Sequence, residues 1–162
     1  MGVEIERKFL VAGTGWKKGA GRSLSQGYLS QTDGVTVRVR IDETRGFLTI
    51  KGPTLGIRRA EFEYEIPVAD AQDLLQLCRP QRIEKRRYEV MHEGQRWEID
   101  EFLGENLGLV VAEIELPAED TPISRPEWLG PEVSDDPRYR NSNLVTCPYK
   151  NWVTTKPTTS HP

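Results

Sequence analysis

The chain has 162 residues, a net charge of −3 at pH 7 and an isoelectric point near 5.5. This length is typical of one compact domain with a buried core. Because 22 basic residues are balanced by 25 acidic ones, the composition argues against a protein that binds nucleic acid or acidic membranes through excess positive charge. We expect a single domain over residues 1–155 and a disordered tail over residues 156–162.

Neither the cysteines nor the apolar segments indicate secretion or membrane insertion. Cys78 and Cys147 are isolated, so they provide neither a metal-ligand spacing nor a disulfide framework. No stretch approaches the roughly 20 apolar residues of a membrane span, and the N-terminus lacks the apolar region of a secretion signal. We therefore expect a cytoplasmic protein without membrane or nucleic-acid partners, either a monomer or a homodimer.

The first predicted strand, residues 3–11, carries the sequence Val-Glu-Ile-Glu-Arg-Lys-Phe-Leu-Val. Side chains two apart on a strand point to the same face, so Glu4, Glu6 and Lys8 share one face and Val3 and Ile5 the other. Carboxylates at this spacing, about 6–7 Å apart, can share a hard cation. A lysine one step further can hold an anion. Alone, such a strand is more typical of a solvated face.

The same alternation returns in strand after strand, with like charges two residues apart in six segments. The charged faces of the later strands carry Arg38 with Arg40, Lys51, Glu61 with Glu63 and Glu65, Lys85 with Arg87, Glu98 with Asp100, and Glu113 with Glu115. Like charges on neighbouring same-face positions repel unless an opposite charge lies between or across from them. The blocks therefore predict an acidic subsite for metal ions and a basic subsite for a polyanion, with cross-strand salt bridges as the alternative explanation.

The coarse secondary structure is antiparallel and mostly β. Strands are predicted over 3–11, 23–31, 36–41, 47–51, 59–66, 82–92, 95–103 and 109–116, and a helix over 68–78, where the apolar spacing becomes helical. Residues 139–152 form either a short packing helix or a loop. About eight strands, each with one charged face, can form an open sheet or a closed barrel. A barrel with charges inside requires a hydrated interior that binds a highly charged ligand.

These strands resemble the CYTH superfamily, the triphosphate tunnel metalloenzymes. The resemblance begins with Glu-x-Glu-x-Lys at residues 4–8 and extends over residues 3–116. It includes Gln-Gly-Tyr-Leu at 26–29, Val-Arg-Val-Arg at 37–40, Leu-Thr-Ile-Lys-Gly at 48–52, Lys-Arg-Arg-Tyr at 85–88 and Ala-Glu-Ile-Glu at 112–115. It implies an eight-stranded antiparallel closed β-barrel, or tunnel, with a few helices packed outside. The short length is most similar to the compact bacterial members, many of which hydrolyse inorganic triphosphate.

The resemblance also implies the roles of the charged residues. The residues expected to bind the triphosphate are Lys8, Arg38, Arg40, Lys51, Lys85 and Arg87. The residues expected to hold Mg²⁺ or Mn²⁺ are Glu4, Glu6, Glu61, Glu63, Glu115, Glu113 and Asp100, the last two with less support. Arginine suits bidentate contacts to phosphate oxygens, and Mg²⁺ prefers carboxylates with water and phosphate ligands.

Tyr28 lies in phase with Gln26 and is expected to face the tunnel near Lys8. A Lys8–Tyr28 pair can orient or deprotonate the attacking water, which makes both candidate catalytic residues. The alternative is a packing tyrosine. The tryptophans at 97, 128 and 152 are expected to be core or covering residues rather than base-stacking platforms.

The predicted function is metal-dependent hydrolysis of a triphosphate, with inorganic tripolyphosphate as the leading substrate. Thiamine triphosphate or a nucleoside triphosphate is a second possible substrate class. An adenylate cyclase of the same superfamily is a third reading, although the sequence has no clear base-recognition motif. The last is a non-catalytic polyphosphate-binding module, which would not require so many carboxylates.

Overall fold

A computed structural model of the protein describes residues 2–78 and 82–154. The predicted disordered tail, 156–162, lies outside the described residues. The strands are β1 (Val3–Val11), β2 (Arg22–Thr32), β3 (Val35–Asp42), β4 (Arg45–Lys51), β5 (Arg58–Ile66), β6 (Ile83–His92), β7 (Gln95–Phe102), β8 (Val110–Glu115) and β9 (Leu129–Glu132). The helices are α1 (Val68–Gln76) and α2 (Asn141–Leu144), with 3₁₀ turns at Gly104–Asn106, Pro137–Tyr139 and Tyr149–Thr154.

Eight of the strands close into a ring. The order is β5-β4-β3-β2-β6-β7-β8-β1, and β1 pairs back to β5. Every pairing in this ring is antiparallel. Of the two arrangements left open by the strand pattern, the closed one is therefore confirmed, as the resemblance implied.

The register places opposite charges across from each other inside the ring. Lys8 lies opposite Glu113, Lys51 opposite Glu61, and Arg87 opposite Asp100. Cross-strand ion pairs are therefore present, as the alternative explanation required. They lie on the inner side of a closed ring, and not on an open solvated face, so the like charges along each strand converge on one interior.

The outward faces of β2, β3 and β4 are covered by α1. Its Ala71 and Leu75 pack with Val39. Glycine permits this close approach, because a Cβ at Gly46 would lie 2.8 Å from the Cβ of Ala71. The helix ends at Gln76, two residues before the predicted end, where the backbone N–H groups of the next residues bond three residues back and tighten the last turn.

A second apolar cluster covers the outer faces of β1, β7 and β8. Trp97 is fully buried at its centre and makes edge contacts with Phe9 and Trp128. Trp16, from the loop after β1, packs on Tyr88. Trp152 is also buried, in a different cluster, so the prediction that these tryptophans are core or covering residues is confirmed.

The strand β9 was not predicted; it pairs with the second half of β1 through Phe9–Glu132 and Val11–Leu129. This strand is four residues long and contains Gly130 and Pro131, so it has no apolar–polar alternation to detect. A Cβ at Gly130 would lie 3.0 Å from the carbonyl oxygen of Leu10, which explains why glycine suits this position.

The C-terminal segment, residues 134–154, packs against the ring as short turns and one short helix rather than as one longer helix. Leu144, Val145 and Trp152 are buried against Tyr28 and Phe102. The segment thereby brings polar groups of its first half to the interior. Within the described part of the chain, no helix has the length and apolar character needed to cross a membrane.

Candidate active site

The ring encloses a cavity of about 500 Å³. Nearly all the predicted site residues line it, although they come from seven different strands. The predicted residues that line the cavity are Glu4, Glu6, Lys8, Tyr28, Arg38, Arg40, Lys51, Glu61, Glu63, Lys85, Arg87, Glu113 and Glu115. Asp100 is not among the lining residues.

Three of the predicted metal ligands meet in one place. Carboxylate oxygens of Glu4, Glu61 and Glu115 all lie within 4.8 Å of one another. Burial and repulsion from Glu4 raise the pKa of Glu61 and of Glu115. Three carboxylates that repel one another in a partly buried cluster form the hard oxygen donor set that Mg²⁺ and Mn²⁺ prefer, so these residues fit a divalent ion.

Lys51 occupies the edge of this acidic cluster. Its Nζ lies 3.0 and 3.2 Å from the two carboxylate oxygens of Glu4 and 3.6 Å from Glu61. The ammonium group supplies the positive charge that partly offsets the repulsion among the acids. Lys51, which was predicted to bind the triphosphate, therefore lies directly beside the predicted metal ligands.

The pKa of the Glu6 carboxyl group, on β1, is strongly shifted. Burial, followed by repulsion from Glu113 and Glu4, raises its pKa well above the usual value. Lys51 and Lys8 offset only part of this shift. A carboxyl group in this environment is stabilised either by a proton or by an additional cation in the cavity.

The arginines of β3 carry the least compensated positive charge. Arg38 is buried, and its Nη2 donates to Thr49 at 3.1 Å and to Glu63 at 3.5 Å. Its Nε is a buried donor with no acceptor among the described residues. Burial, together with repulsion from Arg38 and Arg87, lowers the pKa of Arg40 to about 9. Both observations point to an anion as the missing partner in the cavity.

Both carboxylate oxygens of Asp100 contact a cationic side chain, that of Arg87 or Lys85. It accepts two hydrogen bonds from the guanidinium of Arg87, at 2.8 and 2.9 Å, and its Oδ2 lies 2.8 Å from Nζ of Lys85. Its side chain is only 2% exposed. Burial opposes ionisation, but Arg87 and Lys85 outweigh it and lower the pKa of Asp100.

The ammonium group of Lys8 has two close partners. Its Nζ donates to the backbone carbonyl of Tyr139 at 3.1 Å and lies 3.4 Å from Glu113. Burial disfavours its charge, but Glu113 and Glu6 outweigh burial, so the pKa of Lys8 is raised. Tyr28 adds to this effect through its electrostatic interaction with Lys8, so the two predicted catalytic residues lie near each other.

Several lining residues were not among the predicted site residues. From the strands these are Arg22, Asp42, Arg59, Arg96 and Glu98, and from the C-terminal segment Ser134, Arg140, Asn141 and Ser142. Arg59 and Glu98 could have been predicted, because each lies two residues from a predicted site residue and therefore on the same face of its strand. The C-terminal residues lie in short turns without a period, so no signal in the sequence pointed to them.

Comparison with known proteins agrees with this geometry. A family model for the CYTH domain matches residues 2–143. An inorganic triphosphatase from Acetivibrio thermocellus is 53% identical over 154 residues, which are 94% of this chain and 99% of that protein. An inorganic triphosphatase from Nitrosomonas europaea is 38% identical over 147 residues, or 88% of this chain and 97% of that protein.

A crystal structure of an inorganic triphosphatase superposes with a TM-score of 0.63 at 36% identity, covering 87% of this chain and 96% of that one. The fold, the family model and the relatives thus agree over nearly the full described length. The chain belongs to the CYTH domain family.

Proposed function

We propose that this protein is a metal-dependent triphosphatase that hydrolyses inorganic tripolyphosphate to pyrophosphate and phosphate inside the ring. The observation that carries the proposal is the composition of the 500 Å³ cavity, which holds an acidic cluster and six predicted phosphate-binding cations together. Simple anion binding requires the cations but not the acidic cluster, so the combination favours an enzyme over a binding module.

The ligand chemistry supports a triphosphate. A triphosphate carries roughly four to five negative charges at neutral pH, so its binding requires several fixed cations. Arg38, Arg40, Arg87 and Lys85 supply them from β3 and β6, the two strands that flank β2 in the ring. The buried Arg38 Nε, which has no acceptor among the described residues, is a donor that a phosphate oxygen would satisfy.

The names of the relatives support the same substrate. Both curated relatives are inorganic triphosphatases, and each is matched over nearly its whole length. The cavity offers few apolar side chains, among them Phe47 and Ile57. A nucleotide would need an apolar surface for its base, so this lining favours the inorganic substrate over ATP or thiamine triphosphate.

A divalent ion, Mg²⁺ or Mn²⁺, would be held by Glu4, Glu61 and Glu115, with Glu6, Glu63 and Glu113 lining the adjoining interior. When bound, such an ion would supply charge neutralisation at the phosphate oxygens. Asp100 takes a different role in this proposal. Because both of its oxygens contact Lys85 or Arg87, it serves as their counterion and leaves metal binding to the glutamates.

The protein side chains position the substrate and stabilise its charge. The arginines and Lys85 hold the phosphate chain and stabilise the charge that develops on the leaving pyrophosphate. In the hydrolysis, the oxygen of water forms a bond to the terminal phosphorus, the bridging P–O bond breaks, and the water gives up a proton. Lys8, whose pKa is raised, stays cationic, so we assign it to orienting Tyr28, whose hydroxyl aligns the water while the proton passes to a phosphate oxygen.

A substrate panel tests this proposal. Phosphate release is measured with tripolyphosphate, thiamine triphosphate, ATP and pyrophosphate, each with Mg²⁺ or Mn²⁺. We expect tripolyphosphate to have the highest kcat/KM and activity to disappear in EDTA. Conversion of ATP to cyclic AMP and pyrophosphate as the dominant reaction would instead assign the chain to the cyclases. A reducing cytoplasm, proposed as the compartment, is consistent with the absence of a disulfide at Cys78 and Cys147.

A further inference from the structure

Two neutral amides connect two of the cavity cations behind the proposed substrate site. Nε of Arg40 donates to the side-chain oxygen of Gln26 at 2.9 Å. The amide nitrogen of Gln26 donates to Oδ1 of Asn141 at 3.4 Å, and Nζ of Lys85 donates to the same Oδ1 at 2.9 Å. The result is one continuous hydrogen-bonded chain from Arg40 to Lys85.

Burial makes this chain rigid. Gln26 is fully buried on β2, behind Arg40, and is not itself exposed to the cavity. Asn141 begins α2 and does line the cavity. Its position is set by the next turn, because Leu144 and Val145 are buried in the cluster that also contains Phe102. Phe102 also lies against Lys85, whose Nζ is 5.3 Å from the ring centre.

The cations in this chain are not neutralised by it. Within residues 2–78 and 82–154, Arg40 makes no ion pair with a carboxylate. Lys85 has one carboxylate partner, Asp100, and shares it with Arg87. Arg87 has two further carboxylates nearby, Glu98 at 3.3 Å and Glu113 at 3.8 Å, so the shortage of negative charge falls on Lys85 and above all on Arg40. A glutamate at position 26 or an aspartate at position 141 would offer the same acceptor oxygen but would cancel one of these charges.

We propose that Gln26 and Asn141 form a neutral amide clamp that orients Arg40 and Lys85 toward a triphosphate without reducing their charge. Both are positioning residues, and Asn141 is supplied by the C-terminal segment. This inference rests on the proposed function, since a triphosphate is the anion that would use these charges. Amides suit the role because they accept a hydrogen bond from a cation but carry no net charge that would repel phosphate.

The test compares a change of charge with a loss of hydrogen bonding at the same position. Asn141→Asp keeps the acceptor oxygen and adds a negative charge. Asn141→Leu has a similar branched shape but leaves Lys85 and Gln26 without their acceptor. Gln26→Glu repeats the charge change on the other amide, and Asn151→Asp is the control, because this asparagine is exposed in the same C-terminal segment. Binding of tripolyphosphate in EDTA and the ligand-free Tm are measured for each variant.

If the clamp operates, the two Asn141 variants should rank in opposite orders in tripolyphosphate binding and in ligand-free Tm. Asn141→Asp and Gln26→Glu should weaken tripolyphosphate binding by about 10-fold or more, because each cancels a charge that a phosphate contact uses. Asn141→Leu should weaken it less. In the ligand-free protein, Asn141→Leu should have the lower Tm of the two Asn141 variants, because it leaves buried donors unsatisfied. Asn151→Asp should change neither measurement.

A purely structural role for the amides predicts one shared rank order, with Asn141→Leu the worst in both measurements, and this result would overturn the clamp. Wild-type binding with Asn141→Asp and Gln26→Glu would overturn it as well. Failure of the unmodified protein to bind tripolyphosphate would contradict the proposed function instead. In that case Tm still tests the hydrogen-bonded chain on which the clamp depends, and Asn141→Asp no more stable than Asn141→Leu would refute it.

Discussion

Nζ of Lys51 lies 3.0 and 3.2 Å from the two carboxylate oxygens of Glu4. Lys51 therefore occupies the edge of the cluster in which Glu4, Glu61 and Glu115 converge. A divalent cation that binds these carboxylates competes with the ammonium group for the same oxygens. The ion pair thus couples metal binding to the freedom of Lys51 to contact the substrate.

This competition predicts opposite effects of one substitution. Lys51→Met removes the competing charge, so binding of Mn²⁺ to the substrate-free protein should tighten. Binding of tripolyphosphate should weaken by about 10-fold or more, because one charge-assisted contact is lost. Titration calorimetry measures both. Lys17→Met is the matched control, since Lys17 pairs with Glu101 outside the cavity. Weaker metal binding in Lys51→Met would contradict the competition.

The raised pKa of Glu6 predicts a stability that depends on pH. Because the folded protein holds this proton more tightly than the unfolded chain, the contribution of Glu6 to stability is present below its unfolded pKa, near 4.5. It is lost as pH rises through the higher folded pKa. Glu6→Gln does not titrate, so in the absence of metal its Tm should exceed that of the wild type at pH 7.5, and the difference should shrink toward pH 4.5.

Glu65 provides a control of opposite sign. Its hydrogen bond to Arg45 lowers its pKa, so its contribution to stability is present above the unfolded pKa and lost as pH falls. Glu65→Gln should therefore not raise Tm at pH 7.5. Turnover should be abolished in Glu6→Gln and unchanged in Glu65→Gln, which lies outside the cavity lining. A Glu6→Gln variant with wild-type turnover would remove Glu6 from the site.

Asp100→Asn separates the counterion role from metal binding. The substitution leaves two buried cations without their shared carboxylate, and breaking a buried pair in this way costs about 3–5 kcal/mol. We expect a large loss of unfolding free energy in denaturant titrations, with the Mn²⁺ affinity of the folded protein unchanged. Reduced Mn²⁺ affinity with wild-type stability would identify Asp100 as a metal ligand.

Tyr28→Phe tests the role of the hydroxyl near Lys8. Phenylalanine keeps the packing against the C-terminal segment, so stability should be nearly unchanged. If the hydroxyl aligns the water, kcat should fall by about 10²-fold with little change in KM. Unchanged kcat in Tyr28→Phe, with Lys8→Ala still severely impaired, would leave Tyr28 as a packing residue.

Much of the fold was predictable because charged residues recur at every second position along the strands and form the inner face of the ring. The period of two in β1, β3, β5 and β8 places Glu4, Arg38, Glu61 and Glu113 on one side of each strand, and closure of the ring brings them together. The four-residue β9 was missed because Gly130 and Pro131 interrupt any alternation. Its pairing with β1 depends on close backbone approach, which a side-chain pattern does not record.

The residues that form the site were predictable from the sequence, but their contacts with one another were less so. Strand phase indicated that Asp100 faces inward, but whether it meets a metal or a cation depends on which strand lies beside β7. The neighbour is β6, which brings Lys85 and Arg87. Asn141 was not predictable at all, because it enters the cavity from a short helix whose position depends on the distant apolar contacts of Leu144.

Hydrolysis of tripolyphosphate inside the ring can be followed by ³¹P NMR of tripolyphosphate with Mg²⁺. We expect one orthophosphate and one pyrophosphate per molecule consumed by the wild type. Glu6→Gln should give no conversion, and Arg40→Ala should require about 10- to 150-fold more substrate to reach half-maximal rate. Absence of conversion by the wild type, or equal conversion by all three proteins, would contradict it.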